Sequence, residues 1–130
     1  MPQGSITFHE SEERLSAATR DMHRAIVSLM EELEAVDWYQ QRMDVTQSPE
    51  LRDILRHNRD EEKEHAAMVL EWIRRHDEGL DTKLRQYLFS EGSIVGREAA
   101  IEPHEAAANG APRADPLGVT ASVGSLRGGR

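Results

Sequence analysis

A chain of 130 residues with no cysteine and 31% charged residues has the size of one domain, and it excludes a disulfide scaffold, a zinc knuckle and a thiolate-held iron site. Its net charge of −8 sits mainly before residue 112. Beyond that point Arg113, Arg127 and Arg130 face a single acid, Asp115; the acidic body repels phosphate and argues against nucleic acid and anionic membranes as partners.

No apolar run approaches the roughly 18 residues that a membrane span needs. Residues 1–13 lack the basic start and apolar centre of a secretory signal, so a cytoplasmic protein is expected. Residues 1–10 read as disordered. The first helix is predicted over about 11–42. It opens on Glu12 and Glu13, which suit the positive end of a helix dipole, and its interior has no Gly or Pro. Residues 44–48 read as a turn. Ser48-Pro49-Glu50 then has the order of an N-cap, a first-turn proline and an acid, and starts a second helix that runs to about Asp77. Arg74, Arg75 and His76 sit at its negative end, and Gly79 suits the position just past it. Leu80, Leu84, Tyr87 and Leu88 repeat at helical spacing, which predicts a short third helix up to Phe89. Residues 93–101 have room for another turn or two, but the Ala-, Gly- and Pro-rich stretch over 93–116 reads as a flexible linker.

The fold class expected is therefore all-α. Two long helices joined by a short turn form an antiparallel hairpin over residues 11–92, with the short third helix at its end. Two helices of this length bury one stripe each, which is too little for an independent core. A twofold dimer of hairpins makes a four-helix bundle and is the simplest remedy.

The apolar seams carry polar residues at informative places. On the first helix one seam is Leu15, Met22, Leu29 and Val36, and its companion is Ala18, Ala25, Glu32 and Tyr39. On the second, one seam is Leu51, Asn58, His65 and Trp72, and the other is Leu55, Glu62, Val69 and His76. Glu32, Glu62 and His65 thus occupy inward positions where Leu or Ile would pack better. An ionised carboxylate in a bundle core costs several kcal/mol unless something compensates it. Arg59 or Lys63 could reach in from a flank; a divalent cation compensates best. Carboxylates with an imidazole suit iron, manganese or zinc. Di-iron bundles use Glu from each of two helices and Glu-x-x-His from each of the other two. This hairpin supplies half: Glu32, and Glu62-Lys63-Glu64-His65. A satisfied His–Glu pair on a helix flank is the bland alternative.

The stretches His23-Arg24-Ala25-Ile26-Val27-Ser28, Met30-Glu31-Glu32-Leu33-Glu34-Ala35-Val36-Asp37-Trp38-Tyr39 and His57-Asn58-Arg59-Asp60-Glu61-Glu62-Lys63-Glu64-His65-Ala66-Ala67-Met68 together resemble the encapsulated ferritins, from about residue 23 to 92. The Glu-Glu-Lys-Glu-His-Ala portion alone also resembles rubrerythrins, so the earlier stretches decide. The resemblance implies a two-helix chain that completes a ferritin-like bundle as a dimer, then a ring of five dimers, a homodecamer. It implies ferroxidase activity at a di-iron centre shared between chains, through Glu32, Glu62 and His65. It implies a nearby acidic metal-access site at Glu31 and Glu34, with Ca2+ or another divalent cation as the candidate there, and places Trp38 and Tyr39 beside the centre. The family works inside an encapsulin nanocompartment, which implies iron storage and detoxification there.

Small residues separate Leu117, Val119, Val123 and Leu126 in the tail. Such a segment cannot build a core but can place apolar side chains in pockets of a partner. Residues 117–130 resemble the encapsulation peptides of shell cargo, so the encapsulin shell protein is the expected partner. Two rival readings differ in class. A non-catalytic acidic helical adaptor or cargo protein would bind no stoichiometric iron. A rubrerythrin-like peroxidase normally needs further iron ligands, and this chain has no cysteine.

Overall fold

A computed structural model describes residues 7–110, with side chains as far as residue 102. The targeting residues Leu117, Val119, Val123 and Leu126 lie outside the described residues, as do positions 1–6. The described residues are all helical: a single 3-10 turn at Glu12–Arg14, then α1 (Ala17–Val45), α2 (Pro49–His76), α3 (Glu78–Tyr87) and α4 (Ile94–Gly110). No described helix is long and apolar enough to cross a membrane. The chain divides into two compact units that meet between Leu84 and Arg85.

In the first unit α1 starts later than predicted. Ser16 is the N-cap, and its Oγ accepts from Thr19 N at 3.0 Å. The acids Glu12 and Glu13 belong instead to the 3-10 turn, which Leu15 ends in extended backbone. A side-chain cap outweighs a merely favourable charge near the dipole. Phe8 lies back along α1, its ring 4.4 Å from that of His23. At the other end α1 runs through Val45, and Arg52 satisfies its terminus: Nε donates to Met43 O at 3.2 Å and Nη2 to Thr46 O at 2.6 Å. Ser48 caps α2 as predicted, accepting from Leu51 N at 3.2 Å, with Pro49 in the first turn.

α1 and α2 form the expected antiparallel hairpin. Arg59 Nη1 donates to Gln40 Oε1 at 2.6 Å near the turn, and Ala25 and Trp72 line one groove near the open end. The buried apolar side chains are Met43, Leu55, Ala66 and Ile73. Met43 and Leu55 continue the predicted seams. Ala66 and Ile73 do not; they lie one heptad apart on a row that also contains Arg52 and Arg59. The hairpin closes on that row, and the predicted seam Leu51–Asn58–His65–Trp72 stays open, with Leu51 and Trp72 exposed. Ile26, Met30, Leu33, Ile54 and Met68 are exposed as well.

The break after α2 is at Asp77, whose backbone is extended at φ −140°, not at Gly79, which lies within α3. Asp77 Oδ1 accepts from Leu80 N at 2.9 Å and so starts α3. Arg74 spans this elbow. Its Nε and Nη2 grip both oxygens of Glu71 at 2.6 and 2.7 Å, and Nη1 reaches Asp81 at 2.6 Å. Arg75 adds a contact to Glu71 at 2.6 Å. Hydrogen bonds from Arg74 and then Arg75 lower the Glu71 carboxyl to about 2.

The second unit holds the last turn of α3 and all of α4. α3 ends at Tyr87, two residues before the predicted Phe89. Phe89 and Gly92 take positive φ, 59° and 81°, and Ser93 Oγ accepts from Gly96 N at 3.0 Å to start α4. The flexible linker predicted over 93–116 is thus replaced by helix from Ile94 to Gly110. The physical reason is alanine: Ala99, Ala100 and Ala106–Ala108 favour helix enough to carry the chain through Pro103.

Candidate metal centre

Glu32 comes from the middle of α1, and Glu62 and His65 from the middle of α2. Glu62 and His65 share one face because they are three residues apart in a helix. The antiparallel pairing brings Glu32 opposite them. His65 Nδ1 lies 3.3 Å from Glu62 Oε2 and 3.9 Å from Glu32 Oε2. One donor atom from each of the three residues falls within 4.8 Å of the others. Glu32 and Glu62 are about three-quarters covered, with side chains 26% and 22% exposed, while His65 is 43% exposed. All three residues are therefore brought together, in contact with one another.

Two carboxylates this close repel when both are ionised. A hydrogen bond between Glu32 and Glu62 relieves this in the metal-free chain. That bond raises the Glu32 pKa above the usual carboxylate range, with partial burial and the Glu62 charge acting in the same direction. The same bond lowers Glu62, and His65 lowers it further.

The flanking cations do not compensate the cluster. Arg59 turns away: its Nε and Nη2 bind Asp60 at 2.9 and 2.8 Å, and its Nη1 binds Gln40. Lys63 lies 3.6 Å from Asp60. Among the described residues the ion pairs of Glu32 and Glu62 run to His65 alone. Two oxygen donors and one nitrogen donor, uncompensated by Lys or Arg, fit a divalent transition metal such as iron, manganese or zinc. Three donors on one side leave coordination positions that no other described residue fills. His65 Nε2 has no partner among the described residues.

The remaining candidates fall around this cluster. Glu31 and Glu34 are exposed and stand apart from the three-residue group; Glu31 contributes only a small charge effect at Glu32. Trp38 is exposed, and Tyr39 is half-buried with the Arg42 guanidinium 5.5 Å from its ring centroid. His57 pairs with Glu61 at 3.0 Å on the outer face of α2, and His76 stacks on Trp72 at 3.9 Å. The sequence reading missed the Arg59–Gln40 link, which ties α2 to α1 one turn before Glu62. The signal for it was present: an arginine on a heptad row with Ala66 and Ile73 must find a polar partner on the facing helix.

Residues 7–91 match the model of the EncFtn-like family. An encapsulated ferritin-like protein of Rhodospirillum rubrum is 52% identical over 134 residues, covering 98% of this chain and 93% of that one. An encapsulin nanocompartment cargo protein of Myxococcus xanthus is 30% identical, covering 98% and 99%. A crystal structure of a Nitrosomonas europaea protein superposes with a TM-score of 0.66 at 60% identity, covering 67% of this chain and 96% of that one.

Proposed function

This chain belongs to the EncFtn-like family of encapsulated ferritin-like proteins, and from that premise we propose that two copies pair across the open seam to form one ferroxidase centre. Ferrous iron is the substrate. Each copy brings Glu32, Glu62 and His65, so the pair offers four carboxylates and two imidazoles, enough donors for two ions with positions left for an oxidant. Two ferrous ions give up one electron each to dioxygen or a related acceptor and leave as ferric iron.

The observation that carries this reading is the Glu32–Glu62–His65 cluster, uncompensated by Lys or Arg, on a hairpin that leaves the seam of Leu51, His65 and Trp72 open. A symmetry mate seated on the open seam would cover Leu51, Met68 and Trp72 and would meet the donors from the opposite side. Glu32 and Glu62 compete for a cation against protons, Glu32 more strongly protonated than an ordinary carboxyl. His65 presents Nδ1 to the same space, and its Nε2 takes an outer partner only once a second copy is in place. Trp38 and Tyr39 flank the centre, with Tyr39 placed to hydrogen-bond a ligand or supply an electron. Glu31 and Glu34 form the acidic access site, where Ca2+ or another divalent cation binds in transit.

The names of the relatives extend the reading. Residues 117–130 act as an encapsulation peptide through Leu117, Val119, Val123 and Leu126, and the protein works within an encapsulin nanocompartment in the cytoplasm. A ring of five dimers would display ten such peptides, so weak individual contacts would gain avidity. Iron oxidised at the centre is then stored and detoxified inside the shell.

The test is ferrous oxidation by the Glu32→Ala, Glu62→Ala and His65→Ala variants, followed by stopped-flow absorbance and oxygen uptake. Each variant should slow oxidation at least tenfold while keeping its helix content. Wild-type rates in all three would defeat the assignment. Deleting residues 116–130 should abolish co-purification with the shell protein and spare oxidation; loading of the truncated chain would defeat the targeting reading.

A further inference from the structure

Arg59 stands three residues before Glu62 on α2. Side chains at that spacing are neighbours on a helix surface, and opposite charges there pair readily. The other arginine ion pairs inside α1 and α2 keep to such spacings: Arg24 with Asp21, Arg56 with Asp53, and Arg74 and Arg75 with Glu71. Three and four residues either side of Arg59 stand Leu55, Arg56, Glu62 and Lys63. Glu62 is the one acid among them. A guanidinium on Glu62 would be a charge-assisted pair that occupies the carboxylate oxygens. It would also set a positive charge against an incoming cation.

Arg59 does not take that partner. Its Nε and Nη2 both donate to Oδ1 of the adjacent Asp60, at 2.9 and 2.8 Å, and its Nη1 donates to Gln40 Oε1 at 2.6 Å. All three guanidinium nitrogens are thus engaged away from the metal donors. Gln40 is itself oriented for this, because its Nε2 donates to Asp44 Oδ1 at 2.9 Å and leaves its oxygen for Arg59. The Arg59 side chain is only 17% exposed, on the row where the hairpin closes. A guanidinium so covered needs acceptors within the protein, so where those acceptors stand decides which way it turns. Lys63, 56% exposed and 3.6 Å from the same Asp60, is mostly in water. Arg59 is the stronger competitor for Glu62.

We infer that Asp60, with Gln40, is a positioning residue for the metal centre: it holds the Arg59 guanidinium off Glu62 and so keeps the donor oxygens free for a cation. The inference rests on the metal-centre reading above, but not on the oxidation chemistry.

The experiment titrates metal-free protein with cobalt under argon, followed by visible absorption, with the assembly state checked by sedimentation. It compares wild type, Asp60→Asn, Arg59→Gln and the double variant. Freed from Asp60, Arg59 turns to Glu62, so Asp60→Asn should weaken cobalt binding roughly tenfold or more. With Arg59 already replaced, the same change should cost less than about threefold. Asp60→Glu keeps the acceptor and should bind cobalt within about threefold of wild type. Loss of negative charge at a distance would weaken binding equally in both backgrounds, as would damage to the helix. The inference is overturned by equal losses in the two backgrounds, or by unchanged binding in Asp60→Asn. Wild type that takes up no cobalt would remove the metal-centre reading, and this inference with it; wild type that binds cobalt while the losses simply add removes the inference alone.

Discussion

At the scale of single residues, the cluster is defined by what compensates Glu32 and Glu62. Arg59 and Lys63 are both engaged with Asp60, so among the described residues Glu32 and Glu62 meet each other and His65. The raised Glu32 pKa has a consequence for metal uptake. A cation competes with protons for these carboxylates, so binding should weaken steadily as pH falls through the carboxylate range, and should release protons in that range. Zinc titration calorimetry in two buffers of different ionisation enthalpy reads the released protons directly. The Glu32→Gln variant removes one titrating carboxylate, so within the carboxylate range it should show smaller release and affinity reduced at least tenfold; equal proton release in both proteins there would contradict this. For the metal-free protein the sign is the reverse: a raised carboxyl pKa favours the fold at low pH and that contribution is lost as pH rises past the raised value. Glu62, lowered by the same bond, works in the opposite direction. Much of this was legible in the sequence, because Glu32, Glu62 and His65 interrupt heptad seams. The fate of Arg59 was not, since a flexible side chain at a flank can turn either way.

At the scale of elements, two arginines hold the ends of α2. Arg52 closes the terminus of α1, and Arg74 joins Glu71 to Asp81 across the elbow into α3. The Glu71 carboxyl, held down to about 2 by Arg74 and Arg75, stabilises the elbow fully above pH 4.5 and loses that contribution as pH falls toward 2. Protection of the Leu80 and Asp81 amides, relative to the intrinsic exchange rate at each pH, should fall over this range before protection in the middle of α2 does, and Glu71→Gln should show the same loss at neutral pH. Uniform loss along α2 and α3 would contradict a local role. Ser48→Ala should cost about 1 kcal/mol in thermal or denaturant unfolding, the usual worth of an N-cap. The Ser48-Pro49-Glu50 start was legible because three independent signals coincide there. The start of α1 was not, because Glu12 and Glu13 suit a helix dipole as well as a 3-10 turn, and Ser16 was passed over as a cap. α4 was missed for a related reason: the Gly and Pro residues after Gly92 read as linker, while alanine propensity carried the helix through Pro103.

At the scale of the whole molecule, the decisive feature is a hairpin that closes on one row and leaves another open. The seam reading of the sequence described the stripes a bundle needs, and it is informative that one chain satisfies only part of them. Met43, Leu55, Ala66 and Ile73 are buried, whereas Leu51, Met68 and Trp72 are exposed along the open side of α2. Replacing Met68 with Asp should therefore leave helix content intact, weaken association at least tenfold by sedimentation, and lower metal binding in proportion; metal binding that survives dissociation would contradict the coupling. Ring size lies beyond sequence and single-chain geometry alike, because it depends on angles between copies.

Metal stoichiometry read against mass tests the shared centre most directly. Native mass spectrometry of protein loaded with cobalt under argon, sampled across a dilution series, resolves ions bound per chain in each assembly state. The account predicts two ions per pair of chains and none retained by the single chain. A single chain that keeps its ion as tightly as the pair does would contradict it.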